Sequence, residues 1–148
     1  MKNNDPYSLE RFVEVQARCI DDVQKELREG RKRSHWMWFI FPQLKGLGYS
    51  AMANFYGIGS RKEAEAYLAH PVLGPRLRSC TSLVMQAEGR SIAEIFTDPD
   101  DMKFRSSMTL FAAVDSESEL FKNALKKYFA GQPDEKTFLA LVQNDAKR

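Results

Sequence analysis

The chain has few of the residues from which small sites are usually built: two cysteines and two histidines in 148 residues. Two thiols are too few for a disulfide framework. Cys19 and Cys80 both fall at apolar positions of predicted helices, where a free thiol packs as a small hydrophobe. A reducing compartment is expected. No Cys, His or carboxylate spacing suits zinc, and Asp98, Asp100 and Asp101 lack the rest of a calcium loop. The pairs Gly46/Gly48 and Gly57/Gly59 follow no strand and lack the phosphate-loop pattern. No metal and no cofactor is nominated. Long apolar runs are missing too. The longest, WMWFIF at residues 36–41, falls far short of the roughly 20 residues that cross a bilayer. The opening MKNNDPYSLERF contains no apolar stretch suited to a signal peptide. The expectation is a cytoplasmic protein with no membrane association. Charge excess is also absent, since 22 Lys and Arg face 20 Asp and Glu for a net +2. Nucleic acid is disfavoured as a partner, because proteins that live on it concentrate positive charge.

What is present suits one folded domain, residues 1–148 with an ordered core from about 5 to 142. Hydrophobic residues make up 43% and aromatics 11%, enough for a core at this length. Apolar residues recur at helical spacing. Leu9, Phe12, Val13, Gln16, Ile20, Val23 and Leu27 give one face of a long first helix, opened by Asp5-Pro6 and Ser8 and closed by Gly30. Ser60 to Glu63 reads as a capping box, with a helix running to Leu68. His70-Pro71 starts another helix, with Leu73, Leu77, Cys80, Val84 and Ala87 on one face. Ser91 to Glu94 is a second capping box. Asp98-Pro99 places a cap and a proline before a helix to about Ala113. Ser116 opens the next, Gly131 closes it, and Asp134 caps the last. Residues 36–41 are too short for periodicity to choose between strand and buried helix. The fold class is all-α: a compact single-domain multi-helix bundle with short connections.

One segment differs chemically from the rest. Residues 30–50 read GRKRSHWMWFIFPQLKGLGYS, and from Arg28 to Lys45 five basic residues face one acid, Glu29. Both tryptophans are here, beside His35. Ser34 suits a cap for a short helix beginning at His35 and ended by Pro42. The mixture fits a flat anionic ligand. Lys32 and its neighbours supply donors to phosphate or carboxylate. Trp36 and Trp38 supply stacking faces and indole N–H groups. Gln43 both donates and accepts, and the His35 imidazole suits an acid or base role. Against this, tryptophans in small helical domains mostly anchor cores, and a basic run after a helix is often a solvated last turn.

A second block, DPDDMKFRSSMT at residues 98–109, puts Lys103, Ser106 and Ser107 on one helix face. Two hydroxyls and an ammonium there suit a phosphate. The plainer alternative is that Asp98, Asp100 and Asp101 serve the helix start and the serines allow close packing.

RKRSHWMWFIFPQLKGLG, FYGIGSRKEAEAYLAHPVLGPRL and DDMKFRSSMTLF resemble signature blocks of a mainly helical bacterial family, domain of unknown function 1810. The resemblance runs from about residue 5 to 142. It implies a compact, mostly helical domain and assigns no activity. The label calpastatin, carried by some members, does not fit a chain patterned to fold. The helical pattern is also loosely similar to the family that hydrolyses N-glycosidic bonds of ADP-ribose and riboflavin intermediates. That chemistry needs a carboxylate, and Asp101 or Asp98 is the nominee.

Three functions follow as expectations. The first is a pocket for a nucleotide-like or sugar-phosphate ligand, with hydrolysis as an extension. It is built from Lys32, Ser34, His35, Trp36, Trp38 and Gln43 and completed by Tyr56, Asp101, Lys103 and Ser106. The second is a protein-interaction module using the Trp/Arg-rich segment as a hot spot. The third is weak nucleic-acid binding through Arg28, Arg31, Lys32 and Arg33 with stacking Trp. The first requires the two blocks to meet.

Overall fold

The computed structural model describes residues 5–146, so the ends of the expected domain (1–4 and 147–148) lie outside the described residues. These residues form ten helices and no strand: α1 Glu10–Ala17, α2 Ile20–Arg28, α3 Met37–Ile40, α4 Ala51–Phe55, α5 Arg61–Ala69, α6 Leu73–Gln86, α7 Ile92–Phe96, α8 Asp100–Val114, α9 Leu120–Phe129 and α10 Glu135–Ala146. The expected all-α bundle is what the chain adopts. No described helix is long and apolar enough to cross a membrane, and both cysteines are free thiols.

The centre is α8. From Ser106 to Phe111 every residue on it is buried, so this helix has no solvent face along that stretch and is packed all round. Its neighbours are α5, α7, α9 and α10, while α6 bridges α2, α5 and α9 and α1 rests on α3. An aromatic cluster joins the two chemically distinct blocks. Phe104 of α8 meets Phe41 edge-on at 5.1 Å and stacks on Phe96 at 5.0 Å, and Trp36 lies edge-on to Phe96 at 6.3 Å.

Local chemistry sets most helix starts. The Asp5 carboxylate accepts from Leu9 N at 2.7 Å and Glu10 N at 3.0 Å, supporting the first turn of α1. Ser91 and Glu94 form the complete capping box, and Asp134 accepts from Thr137 N and Oγ1. Four expectations need correction. The single first helix is two, because the chain breaks at Arg18-Cys19, where Cys19 leaves helical geometry at φ −136; the halves pack on different partners, α1 on α3 and α2 on α6. Residues 36–41 hold the short helix α3, which begins at Met37 with no side-chain cap. The helix expected from Ser116 starts at Leu120, because Asp115 accepts from Glu117 N and Ser118 Oγ and holds the intervening residues in a turn. Asp98 caps nothing either: α8 starts at Asp100, after a cis Asp98-Pro99 peptide. The helix α4 was not expected; Ser50 Oγ accepts from Ala53 N at its start.

The approach of α6 to α5 depends on a missing side chain. A Cβ at Gly74, buried in the first turn of α6, would lie 2.1 Å from the Leu68 carbonyl oxygen of α5. Backbone cannot yield there as a flexible side chain can. Gly74→Ala is expected to cost about 3 kcal/mol and to lower the melting temperature by roughly 10 °C, as read by circular dichroism; a loss below a couple of degrees would show that α5 and α6 tolerate separation.

Candidate functional site

The segment between α2 and α3 is organised from below by Glu26. This residue shares the buried face of α2 with Val23 and Leu27. Its Oε1 accepts from Arg33 N at 2.7 Å, Ser34 N at 3.0 Å and Trp36 Nε1 at 2.9 Å, and its Oε2 from Ser34 Oγ at 2.6 Å. Burial pushes this carboxyl up, but the bonds from Ser34, Arg33 and Trp36 outweigh it and hold the group below its ordinary value. Two nominated groups are thereby committed. The Ser34 hydroxyl serves Glu26, and the Trp36 indole, 1% exposed, has given its N–H to the same carboxylate.

Lys32 is fixed beside this knot. Its backbone N–H donates to Ile95 O of α7 at 2.8 Å. Its ammonium donates to Ser34 O, lies 5.0 Å over the Trp36 ring and is 2.9 Å from Asp100 Oδ2. The other oxygen of Asp100 is 3.6 Å from Lys103 Nζ, and Lys103 lies 5.1 Å over the Trp38 ring. The two blocks therefore meet directly, through one carboxylate shared by two ammonium groups, each set over an indole. The local sum is one positive charge. Cation–indole contact adds about 1 kcal/mol per pair at partly exposed sites.

Trp38, half-buried, joins this cluster to a second group of nominees. It lines a slot with Gln43, Leu44, Gly48, Ala53, Tyr56 and Gly57 whose volume is only ≈ 10 Å³, less than one water occupies. The outer wall, residues 45–57, is closed at its neck by Lys45 N to Ile58 O and Ile58 N to Gln43 O, both 2.8 Å. Arg11 fastens it further by donating to the carbonyls of Phe55 and Gly57 and pairing with Glu63 at 2.9 Å. Tyr56 packs its ring on Phe12 and Phe39, and burial pushes its hydroxyl up.

The remaining nominees stand apart from this cluster of contacts. His35 is exposed and makes no hydrogen bond among the described residues. Asp101 accepts from Met102 N beside it. Ser106 Oγ bonds back to Met102 O, the usual resting bond of a mid-helix serine. No group of three or more His, Cys, Asp or Glu side chains is placed to hold a metal among the described residues. Two carboxylates that organise this cluster escaped sequence reasoning. Asp100 was assigned to the helix start. Glu26 had a visible signal, since it falls three residues after Val23 and next to Leu27 on an apolar stripe.

The family model described as "Protein of unknown function (DUF1810)" matches residues 6–141. The crystal structure of the conserved hypothetical protein Rv1873 from Mycobacterium tuberculosis is similar at a TM-score of 0.92 and 55% identity, covering 93% of this chain and 99% of that one. No curated protein matches.

Because the native Glu26 carboxyl is held low, its contribution is fully present above the unfolded value of about 4.3 and fades as pH falls through the folded value. Glu26→Gln presents an amide to donors that need an acceptor, and should cost about 3 kcal/mol at pH 7. Urea midpoints measured from pH 7 down to 3 should converge for wild type and variant as Glu26 protonates; a gap that stays constant would remove the carboxylate from this role.

Proposed function

The chain belongs to the DUF1810 family of proteins of unknown function, and we propose that it binds a small anionic ligand of the nucleotide or sugar-phosphate kind where Lys32, Lys103 and Trp38 come together. The observation that carries this is the bridge from Lys32 through Asp100 to Lys103, at 2.9 and 3.6 Å. Two ammonium groups from distant parts of the chain converge on one anion position, and the indole next to it is only half-buried. Ammonium groups bind phosphate as point charges, and Trp38 offers apolar and stacking surface for the body of the ligand. Binding is proposed ahead of hydrolysis, because Asp98 is exposed and makes no hydrogen bond or ion pair among the described residues, and Asp101 is tied to its own helix. The cytoplasm is the proposed setting. Cys80, fully buried with its thiol pushed up to about 12, is kept in its unreactive form there.

The Trp/Arg segment is less suited to the other two roles. A hot spot or a stacking platform needs its aromatics at the surface, whereas Trp36 is buried and its N–H is spent on Glu26. The large exposed apolar side chains stand outside the segment, with Tyr49, Met52 and Phe55 in and before α4, Met102 on α8 and Phe138, Leu139 and Val142 on α10.

Thermal shift and calorimetric titration with AMP, ribose 5-phosphate and inorganic phosphate test the proposal, with adenosine as the uncharged control. The phosphorylated compounds should raise the melting temperature and adenosine should not. Lys103→Met should weaken binding by roughly tenfold or more, the worth of one charge-assisted contact, and Trp38→Ala should weaken AMP more than inorganic phosphate. If none of the three anions moves the melting temperature at millimolar concentration, this face is not an anion site.

A further inference from the structure

The anion position described above is filled in this structure, and what fills it belongs to the chain. Asp100 occupies the first turn of α8, where a negative side chain is favoured by the exposed N–H groups. That local role needs no ammonium partner. Yet both oxygens are engaged by ammonium groups, Oδ2 with Lys32 and Oδ1 with Lys103. The cations come from separate elements. Lys32 reaches in from the loop after α2, anchored through its backbone to α7, and Lys103 rises from α8 itself. The Lys32 side chain is 8% exposed, that of Asp100 19% and that of Lys103 26%. A carboxylate spanning two partly buried ammonium groups is the arrangement a bound carboxylate or phosphate oxygen pair would adopt.

We infer that Asp100 is an internal stand-in for the anionic group of the ligand: its carboxylate holds the Lys32–Lys103 position while the site is empty, and must turn away before a phosphate or carboxylate enters. This rests on the anion-binding role proposed above and adds its regulation. The physical reason for such a device is the cost of an empty site. With Asp100 absent, two ammonium groups, one almost fully buried, would face each other without a counter-charge, and partly buried charges without partners are expensive. The occupant need only rotate its side chain to leave, because Phe104, one turn further along α8, is stacked on Phe96 and met edge-on by Phe41 and keeps the helix in place. The longer Oδ1–Lys103 arm is the natural first to open.

Self-occupancy has a quantitative consequence. A ligand that binds only when Asp100 is turned out has its apparent affinity reduced by the fraction of molecules in that state. Removing the carboxylate should therefore tighten anion binding, the opposite of what removing a ligand-contacting residue does. The gain should be roughly tenfold or more if the inward arrangement predominates by that ratio.

The test uses the full chain and inorganic phosphate as the probe. Calorimetric titrations are run on wild type, Asp100→Asn, Asp100→Asn with Lys103→Met, and Glu94→Gln, which removes a carboxylate from α7 without removing a cap oxygen. Asp100→Asn should bind phosphate at least roughly tenfold tighter than wild type, Glu94→Gln should match wild type, and adding Lys103→Met should cancel the gain. Should Asp100→Asn fail to fold in chloride, phosphate at matched ionic strength should restore its folded circular dichroism, and lack of restoration counts against the inference. Equal phosphate affinity in wild type and Asp100→Asn, with Lys103→Met weakening binding by Asp100→Asn, would leave an anion site with no internal occupant and overturn the inference. Absence of phosphate binding in every variant overturns both the occupant and the site. A gain of equal size in Glu94→Gln would reduce the effect to net charge and overturn the inference as well.

Discussion

The Glu26 carboxylate lies below the surface with four donors around it, and the path of the chain from α2 to α3 follows from satisfying it. A buried carboxylate without partners costs several kcal/mol. Here the partners are two backbone N–H groups, a hydroxyl and an indole N–H, with no cation among them. The arrangement spends four donors of residues 33–36 on one inward point, which draws Trp36 into the aromatic cluster with Phe41 and Phe96. Lys32, just before the knot, then has little freedom. Its backbone is tied to α7, its ammonium rests on the Trp36 ring, and its remaining direction is toward Asp100. A basic loop that composition alone would leave in solvent thus delivers one lysine inward.

The opposite wall obeys the same logic with reversed charge. Arg11 on α1 donates to main-chain oxygens at Tyr7, Ser8, Phe55 and Gly57 and pairs with Glu63. Glu63 in turn accepts from Gly59 N. Gln16, also fully buried, bonds Phe39 O and the Tyr67 hydroxyl, so α3 is held to α1 by an amide as well as by packing. Burial of the Tyr67 hydroxyl pushes it far above its ordinary range, which keeps it a neutral partner at any physiological pH. Polar residues on otherwise apolar helix faces therefore fix the short helix α3, which carries Trp38, and the irregular segments on either side of it, which carry Lys32 and Gln43.

This division explains what the sequence could disclose. Helix existence and the inward faces were legible, because capping at Ser60, Ser91 and Asp134 and the recurrence of Phe12, Gln16, Val23 and Leu27 are local patterns. The break at Arg18-Cys19 was not, since the apolar spacing runs straight through it and only the different partners of α1 and α2 separate the halves. Both block assignments picked residues that do meet, Lys32 with Trp36 and Lys103 with Trp38. The carboxylates that join and order them were missed for one reason. Acids are read as solvent-facing or as helix-dipole partners when the groups that satisfy them lie on other elements. Glu26 is satisfied by residues seven to ten positions away, and Asp100 finds Lys32 across the fold. Nothing in a helical periodicity records either distance.

The two lysines of the cluster are not equivalent, and the difference bears on how it works. Lys32 is nearly enclosed and has three kinds of partner: a carbonyl, a carboxylate and a ring face. Lys103 is more open, makes the longer contact to Asp100 and covers the half-buried Trp38. An enclosed ammonium with fixed neighbours is a preorganised point of attachment, whereas an open one is free to move with whatever enters. Because Asp100 and Lys103 are one turn apart on the same helix, and Phe104 locks that helix into the core, the adjustable part of the cluster is limited to side-chain rotation on a rigid support. The chain has built a fixed anchor and a movable neighbour around a single anion position.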